Sequence, residues 1–119
     1  MIVGLGTDLV EIARIERAMK NPRFVYRILT EREREICTTP QRVAGRWAAK
    51  EAVAKAVGLQ LTWQQVEILP DELGAPRATV NSAYFDRRRL RLHVSITHER
   101  THALATAILE RNILKAPNL

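Results

Sequence analysis

Cysteine is almost missing from this chain: one thiol, Cys37, in 119 residues. A single cysteine excludes an internal disulfide and any cysteine-cluster zinc site, and it suits a reducing compartment. Glycine and proline are scarce, five of each. They fall as isolated punctuation at Asn21-Pro22, Thr39-Pro40, Gly58 and the stretch from Pro70 to Pro76, so no linker, repeat or low-complexity tract divides the chain. Two Phe, two Tyr and two Trp are too few for a strand of stacking aromatics such as RNA-binding sheets carry. No apolar run approaches the ~20 residues of a membrane helix, and the opening MIVGLGTDLVE reaches an acid too early for a signal-peptide core. One cytoplasmic domain, outside the membrane, is the expectation.

Charge is what the sequence has in excess. Nineteen Lys and Arg against thirteen Asp and Glu give a net charge of +6, enough to attract an acidic partner across a Debye length of ~8 Å. Nucleic acid, an anionic membrane surface, an acidic protein and a phosphorylated small molecule all meet that description. The first of these, a small basic nucleic-acid-binding domain, is the main alternative reading. Its support is the net charge alone, because zinc-finger, helix-turn-helix and RNP-type signatures are missing.

Periodicity organises the rest. Ile2, Val3 and Leu5 read as a short strand broken by Gly4 and Gly6, and Val10, Ile12, Ala13, Ile15, Ala18 and Met19 follow helical spacing up to Asn21. Asp8 with Glu11 three residues later resembles a capping box for that helix. Thr30 and Glu33 predict a second, shorter helix to about Cys37. Pro40 opens a third, along which Val43, Ala44, Trp47, Ala48, Ala54 and Val57 line one face until Gly58 stops it. Val66 and Ile68, then Ala78 and Val80, alternate around a Pro70–Gly74 turn and predict a hairpin. Residues 81–89 are expected to form a helix. Leu92, Val94 and Ile96, followed after a polar turn by the alanine-rich run from His102 to Glu110, predict a second hairpin. The domain is expected to span residues 1–110, with 111–119 as a loosely held tail. This order lacks the regular alternation of a doubly wound sheet, so the class is α+β.

Three segments carry chemistry. In GLGTDLVEIARIER, two glycines let the chain present the carboxylate of Asp8 where strand meets helix; a plain helix cap is the ordinary explanation, and a dinucleotide fingerprint is weak because the third glycine and its spacing are missing. In GRWAAKEAVAKAVG, Glu51 and Lys55 stand at i and i+4, the spacing of a surface ion pair. Together with Lys50 and Arg46, they also suit a phosphate held beside Mg²⁺, an ion that takes only one or two carboxylates and completes its shell from water and phosphate. In VSITHERTHA, Ser95, Thr97 and His98 fit either a self-capped turn or a phosphate-binding set. His93 reads as an exposed histidine. Arg14, Arg17 and Lys20, at i, i+3 and i+6, make a basic stripe beside the apolar face, continued by Arg23 and Arg27. Arg87, Arg88, Arg89 and Arg91 read as a solvated helix end.

Taken together, GTDLVEIARI, WAAKEAVAKAVG and SITH resemble the GxDxxxxxRI, W/FxxKExxxKAxG and SxSH-like motifs of the holo-acyl-carrier-protein synthases, the small bacterial type of 4′-phosphopantetheinyl transferase. Order and spacing match over residues 1 to 110, and RILTEREREI and DELGAPRATV look similar too. The chain departs at Trp47, where Phe is frequent, and at Thr97, where Ser is common. The resemblance implies an antiparallel sheet packed against a long central helix and shorter helices. It also implies an enzyme that moves the phosphopantetheine arm of coenzyme A onto a serine of apo acyl carrier protein and releases 3′,5′-ADP. By motif, Asp8 and Glu51 would be the Mg²⁺ ligands and Glu51 and Lys55 the catalytic pair, with the serine proton going to Glu51 or to a metal-bound water that it orients. Arg46, Lys55, Ser95 and His98 would bind coenzyme A, while Arg14 and Arg17 would dock the acidic carrier. Neither nucleic acid nor a membrane is then a partner. The family type is a homotrimer with sites between subunits, and the strand from His102 to Leu109 is the candidate contact.

Overall fold

Gly4 and Gly6 do not break the first strand; they let a helix lie on it. The computed structural model describes residues 1–112, and in it β1 runs unbroken from Ile2 to Glu11. A β-carbon on Gly4 or Gly6 would stand 1.9 Å from the carbonyl oxygen of Ala56 or Ala52 respectively. Those alanines belong to α4 (Pro40–Val57), the longest helix. Glycine on the strand and alanine on the helix bring two backbones together, and this contact is the centre of the molecule.

The strands make two antiparallel sheets. β1, β5 (His102–Arg111) and β4 (Leu90–His98) form one in the order β1-β5-β4, and β2 (Val66–Pro70) pairs with β3 (Pro76–Val80) in the other. Both expected hairpins are therefore present. Along β5 the inner positions Ala103, Ala105 and Ala107 are fully buried. Small side chains there admit α4, and the core continues through Val43, Ala48, Val53, Val66, Ile68 and Val80. The alanines of β5 are thus used inside the chain's own core. Its outward positions are Leu104, Thr106 and Ile108, beside Leu5, Thr7 and Leu9 of β1.

The third predicted helix is α4, capped by the Thr39 side chain and ended by Gly58 at φ +73°, a left-handed turn that favours glycine. The second is α3 (Glu31–Ile36), with Thr30 and Glu33 forming the reciprocal capping box. Besides the unbroken β1, three expectations fail. Asp8 caps no helix, because it lies within β1, and α1 begins only at Ile12 and ends at Ala18. Asn21-Pro22 is a helix start, not mere punctuation: Asn21 accepts the Arg23 amide and Pro22 opens α2 (Pro22–Ile28). Residues 81–89 form turns. There the Ser82 hydroxyl accepts the Tyr84 amide and the Asp86 carboxylate accepts the Arg88 amide, local bonds that compete with a helical ladder. At the other end, β5 continues to Arg111, whose amide donates to Met1, and the Asn112 amide donates to Arg89. Residues 113–119 of the expected tail lie outside the described residues.

Candidate active site

Asp8 shares the helix-facing side of β1 with Gly4, Gly6 and Val10, so the strand that admits α4 also carries its carboxylate to the seam. There Lys55 reaches across: its Nζ lies 3.5 Å from Asp8 Oδ1 and donates to the Thr7 carbonyl at 2.9 Å. Glu51 sits one turn earlier on α4, about 6 Å along the axis, next to the Ala52 that touches Gly6. It is half-buried and lines a cavity of about 140 Å³ with Lys50, Ala54, Leu61, Thr62, Trp63 and Val66. Lys55 is therefore brought to Asp8 at the helix–sheet seam, and Glu51 stands one turn from Lys55 on the same helix, lining its own cavity. No group of three or more metal-ligating His, Cys, Asp or Glu occurs among the described residues. A two-carboxylate set flanked by an ammonium fits Mg²⁺ shared with substrate phosphates, and it does not fit a zinc-type cage.

Lys50 departs from the sequence reading. Its side chain is 2% exposed and turned inward. Nζ donates to Ile28 and Trp63 carbonyls at 2.7 and 3.0 Å and pairs with Glu33 at 2.6 Å. Glu33, fully buried, also accepts the Thr30 and Ile68 amides at 2.8 Å each. Desolvation pulls the Lys50 ammonium below its usual range, opposed by the hydrogen bond to Glu33. Lys50 is thus a structural cation that ties α4 to the end of α2, to α3 and to Trp63, and it is not free to hold a phosphate. Burial likewise raises the Cys37 thiol, which keeps it an inert core group.

The proposed nucleotide-side residues are not at this seam. Arg46 donates through Nε to the Ile68 carbonyl of β2 at 2.9 Å. Alternation on β4 sends Ser95 and Thr97 to the outer sheet face, Ser95 opposite Thr106, while Ile96 turns inward against Gly45. His98 is exposed at the strand end. Because β5 lies between β4 and β1, Ser95 and His98 are about two strand spacings, ~10 Å, from the strand of Asp8. Within the chain, these residues and the Asp8–Lys55 pair therefore lie in separate places. His93, read as merely exposed, pairs with Glu110 at 3.0 Å and holds that carboxyl below its ordinary value.

The basic stripe is exposed as expected. The Arg14 guanidinium lies 5.8 Å over the Trp47 ring. Arg17 lines a groove of about 340 Å³ with Ala18, Asn21, Arg23, Phe24 and Arg27. Because α2 was missed, so was Phe24 as the apolar floor of this groove. The Asn-Pro pair was the signal that announced it.

Residues 4–107 match the family described as the 4′-phosphopantetheinyl transferase superfamily. The holo-[acyl-carrier-protein] synthase of Exiguobacterium sp. is 48% identical, over 92% of this chain and 93% of that protein. The one from Halalkalibacterium halodurans is 44% identical, over 93% and 98%. Among solved structures, the Bacillus anthracis holo-(acyl-carrier-protein) synthase in complex with coenzyme A (3′,5′-ADP) superposes with a TM-score of 0.83 at 35% identity, over 94% of this chain and 99% of that one. The Helicobacter pylori synthase in complex with coenzyme A gives 0.82 at 32%, over 89% and 99%. The chain belongs to the holo-acyl-carrier-protein synthase family within the 4′-phosphopantetheinyl transferase superfamily.

Proposed function

We propose that this enzyme transfers the 4′-phosphopantetheine group of coenzyme A to a serine hydroxyl of an acidic apo acyl carrier protein in the cytoplasm, releasing 3′,5′-ADP. The observation that supports the site assignment is the Lys55–Asp8 pair across the β1–α4 seam, with Glu51 one helical turn from Lys55 in a cavity. In the reaction the serine hydroxyl gives its proton to Glu51 or to a water that Glu51 orients, its oxygen bonds to the phosphorus of the pantetheine arm, and that phosphorus parts from the bridging oxygen, which leaves on 3′,5′-ADP. Such transfer needs positioning and charge neutralisation more than covalent help. Asp8 and Glu51 would hold Mg²⁺, which would supply neutralisation of the pyrophosphate charge. Lys55 leaves Asp8 for a phosphate oxygen and steadies the departing nucleotide. Arg14 and Arg17 dock the carrier by charge, which gives fast association that weakens with salt.

A trimer completes the site. Leu5 and Leu9 are 66% and 61% exposed, and with Leu104 and Ile108 they make an apolar outer sheet face. A second copy packed on that face would turn Ser95 and His98 of one chain toward the Asp8 strand of its neighbour. Mass gain of apo carrier with coenzyme A, with and without EDTA, tests the activity and the metal together; unchanged turnover in EDTA removes the metal assignment. Light scattering should give about three times the 13.6 kDa chain mass. A fully active monomer removes the shared site.

A further inference from the structure

A helix leaves its last carbonyls without helical partners, and at the end of α2 three side chains from elsewhere take them, Gln64, Lys50 and Arg34, the last donating to Leu29 at 3.0 Å. The Gln64 amide nitrogen donates to Tyr26, Arg27 and Leu29 at 3.0, 3.2 and 2.8 Å. Lys50 takes the carbonyl between them, Ile28. Gln64 sits on a 3₁₀ turn, Trp63–Gln65, between α4 and β2. An aromatic stack makes a second tie: Phe24 of α2 lies 5.8 Å from Trp47 of α4, and Trp47 lies 4.4 Å from Trp63. A seven-residue helix has little stability of its own, so these ties decide where α2 sits.

The two ends of this junction have different uses. α2 presents Arg23, Phe24 and Arg27 to the basic groove, while Trp63 and Lys50 wall the cavity beside Glu51. We propose that Gln64 is a positioning residue: by holding the carbonyl end of α2, it fixes the carrier-docking groove relative to the Glu51 cavity, so that a docked carrier delivers its serine to the seam. This rests on the reading that α1 and α2 dock the carrier. Gln64 touches no reacting group. It is exposed, so its replacement leaves the core intact, unlike that of Lys50.

Gln64→Met keeps the length and removes the donors. The expected result is a fall in kcat/KM for apo carrier of about tenfold, with KM for coenzyme A within about twofold of the parent. Gln64→Lys, which restores a donor to the same carbonyls, should recover most of the loss. Trp47 and Trp63 are the only tryptophans in the chain, so emission reports this junction directly and should shift to the red in Gln64→Met and return in Gln64→Lys. Parental kcat/KM for carrier in Gln64→Met overturns the proposal, and so does an equal loss toward both substrates without rescue by Lys. Arg14→Glu and Arg23→Glu are the controls. If they leave KM for carrier unchanged, the docking reading fails and this proposal fails with it, whatever Gln64→Met does.

Discussion

Lys55 stands 3.5 Å from the Asp8 carboxylate while its ammonium also donates to the backbone of Thr7 on the same strand. The two side chains are 55% and 18% exposed, so the pair is solvent-screened and contributes at most about 1 kcal/mol to folding. Its geometric effect is larger: it keeps an ammonium and a carboxylate side by side at a seam that two glycines hold closed.

Asp8→Asn and Glu51→Gln should therefore fold normally and lose most transfer. Circular dichroism and melting should stay near the parent, while mass-gain assays fall well beyond tenfold, ~1.4 kcal/mol of transition-state energy. Either variant retaining activity within tenfold would take that carboxylate out of the metal site.

Arg14 lies over Trp47 and outside the seam, so Arg14→Glu should raise KM for carrier protein much more than KM for coenzyme A. The salt dependence of carrier turnover should flatten in the same variant. Equal effects on the two substrates would make the stripe ordinary solvated surface.

The Glu33–Lys50 pair is buried at both ends. Lys50→Met removes the cation and leaves Glu33 charged in the core, which should destabilise the protein by about 3–5 kcal/mol. Replacing both residues with apolar groups should cost less than the single change. Urea melts of the single and double variants decide this, and a single variant as stable as the parent would contradict it.

Gly6→Ala and Gly58→Ala should fail for different reasons. At Gly6 the new methyl meets the Ala52 carbonyl oxygen at 1.9 Å, so the loss should reach or exceed the top of the usual ~1–3 kcal/mol for overpacking, because a backbone atom cannot step aside. At Gly58 nothing lies within 4 Å, and only the φ of +73° resists, which costs about 1–2 kcal/mol. Thermal melts should rank the two in that order.

Hydrogen bonds from the Thr101 hydroxyl, and then its amide, hold the Glu99 carboxyl at about 2, below its ordinary 4.5. A carboxyl whose folded pKa is depressed stabilises the fold above the unfolded value and loses that contribution as pH falls through the folded one. Stability from this turn should therefore be complete above pH 4.5 and decline toward pH 2. Thr101→Val should move the Glu99 titration upward, as read by NMR of its side-chain carboxyl. A midpoint that stays near 2 would assign the shift to another donor.

Local signals were legible wherever a few neighbouring residues settle the outcome. Thr30 with Glu33, Thr39-Pro40 and Gly58 each announced a helix end correctly, because caps are made of groups within four residues of one another. The same logic was available at Asn21-Pro22 and would have given α2. It misled at Asp8 with Glu11, where the spacing of a cap occurs inside a strand paired residue by residue with β5. It misled again at 81–89, where Ser82 and Asp86 keep their neighbours' amides for themselves.

The sequence by itself determined the α+β class, the long helix, both hairpins and the family, because periodicity, caps and motif spacing are properties of the chain's order. Tertiary structure alone decided which of the polar residues on α4 is buried: Lys50 turns into the core to Glu33, while Glu51 lines a cavity and Lys55 reaches the seam, a choice set by what packs against each side of one helix. It also decided that Ser95 and His98 lie two strands from Asp8, since sheet order is fixed by long-range pairing and leaves no mark at short spacing.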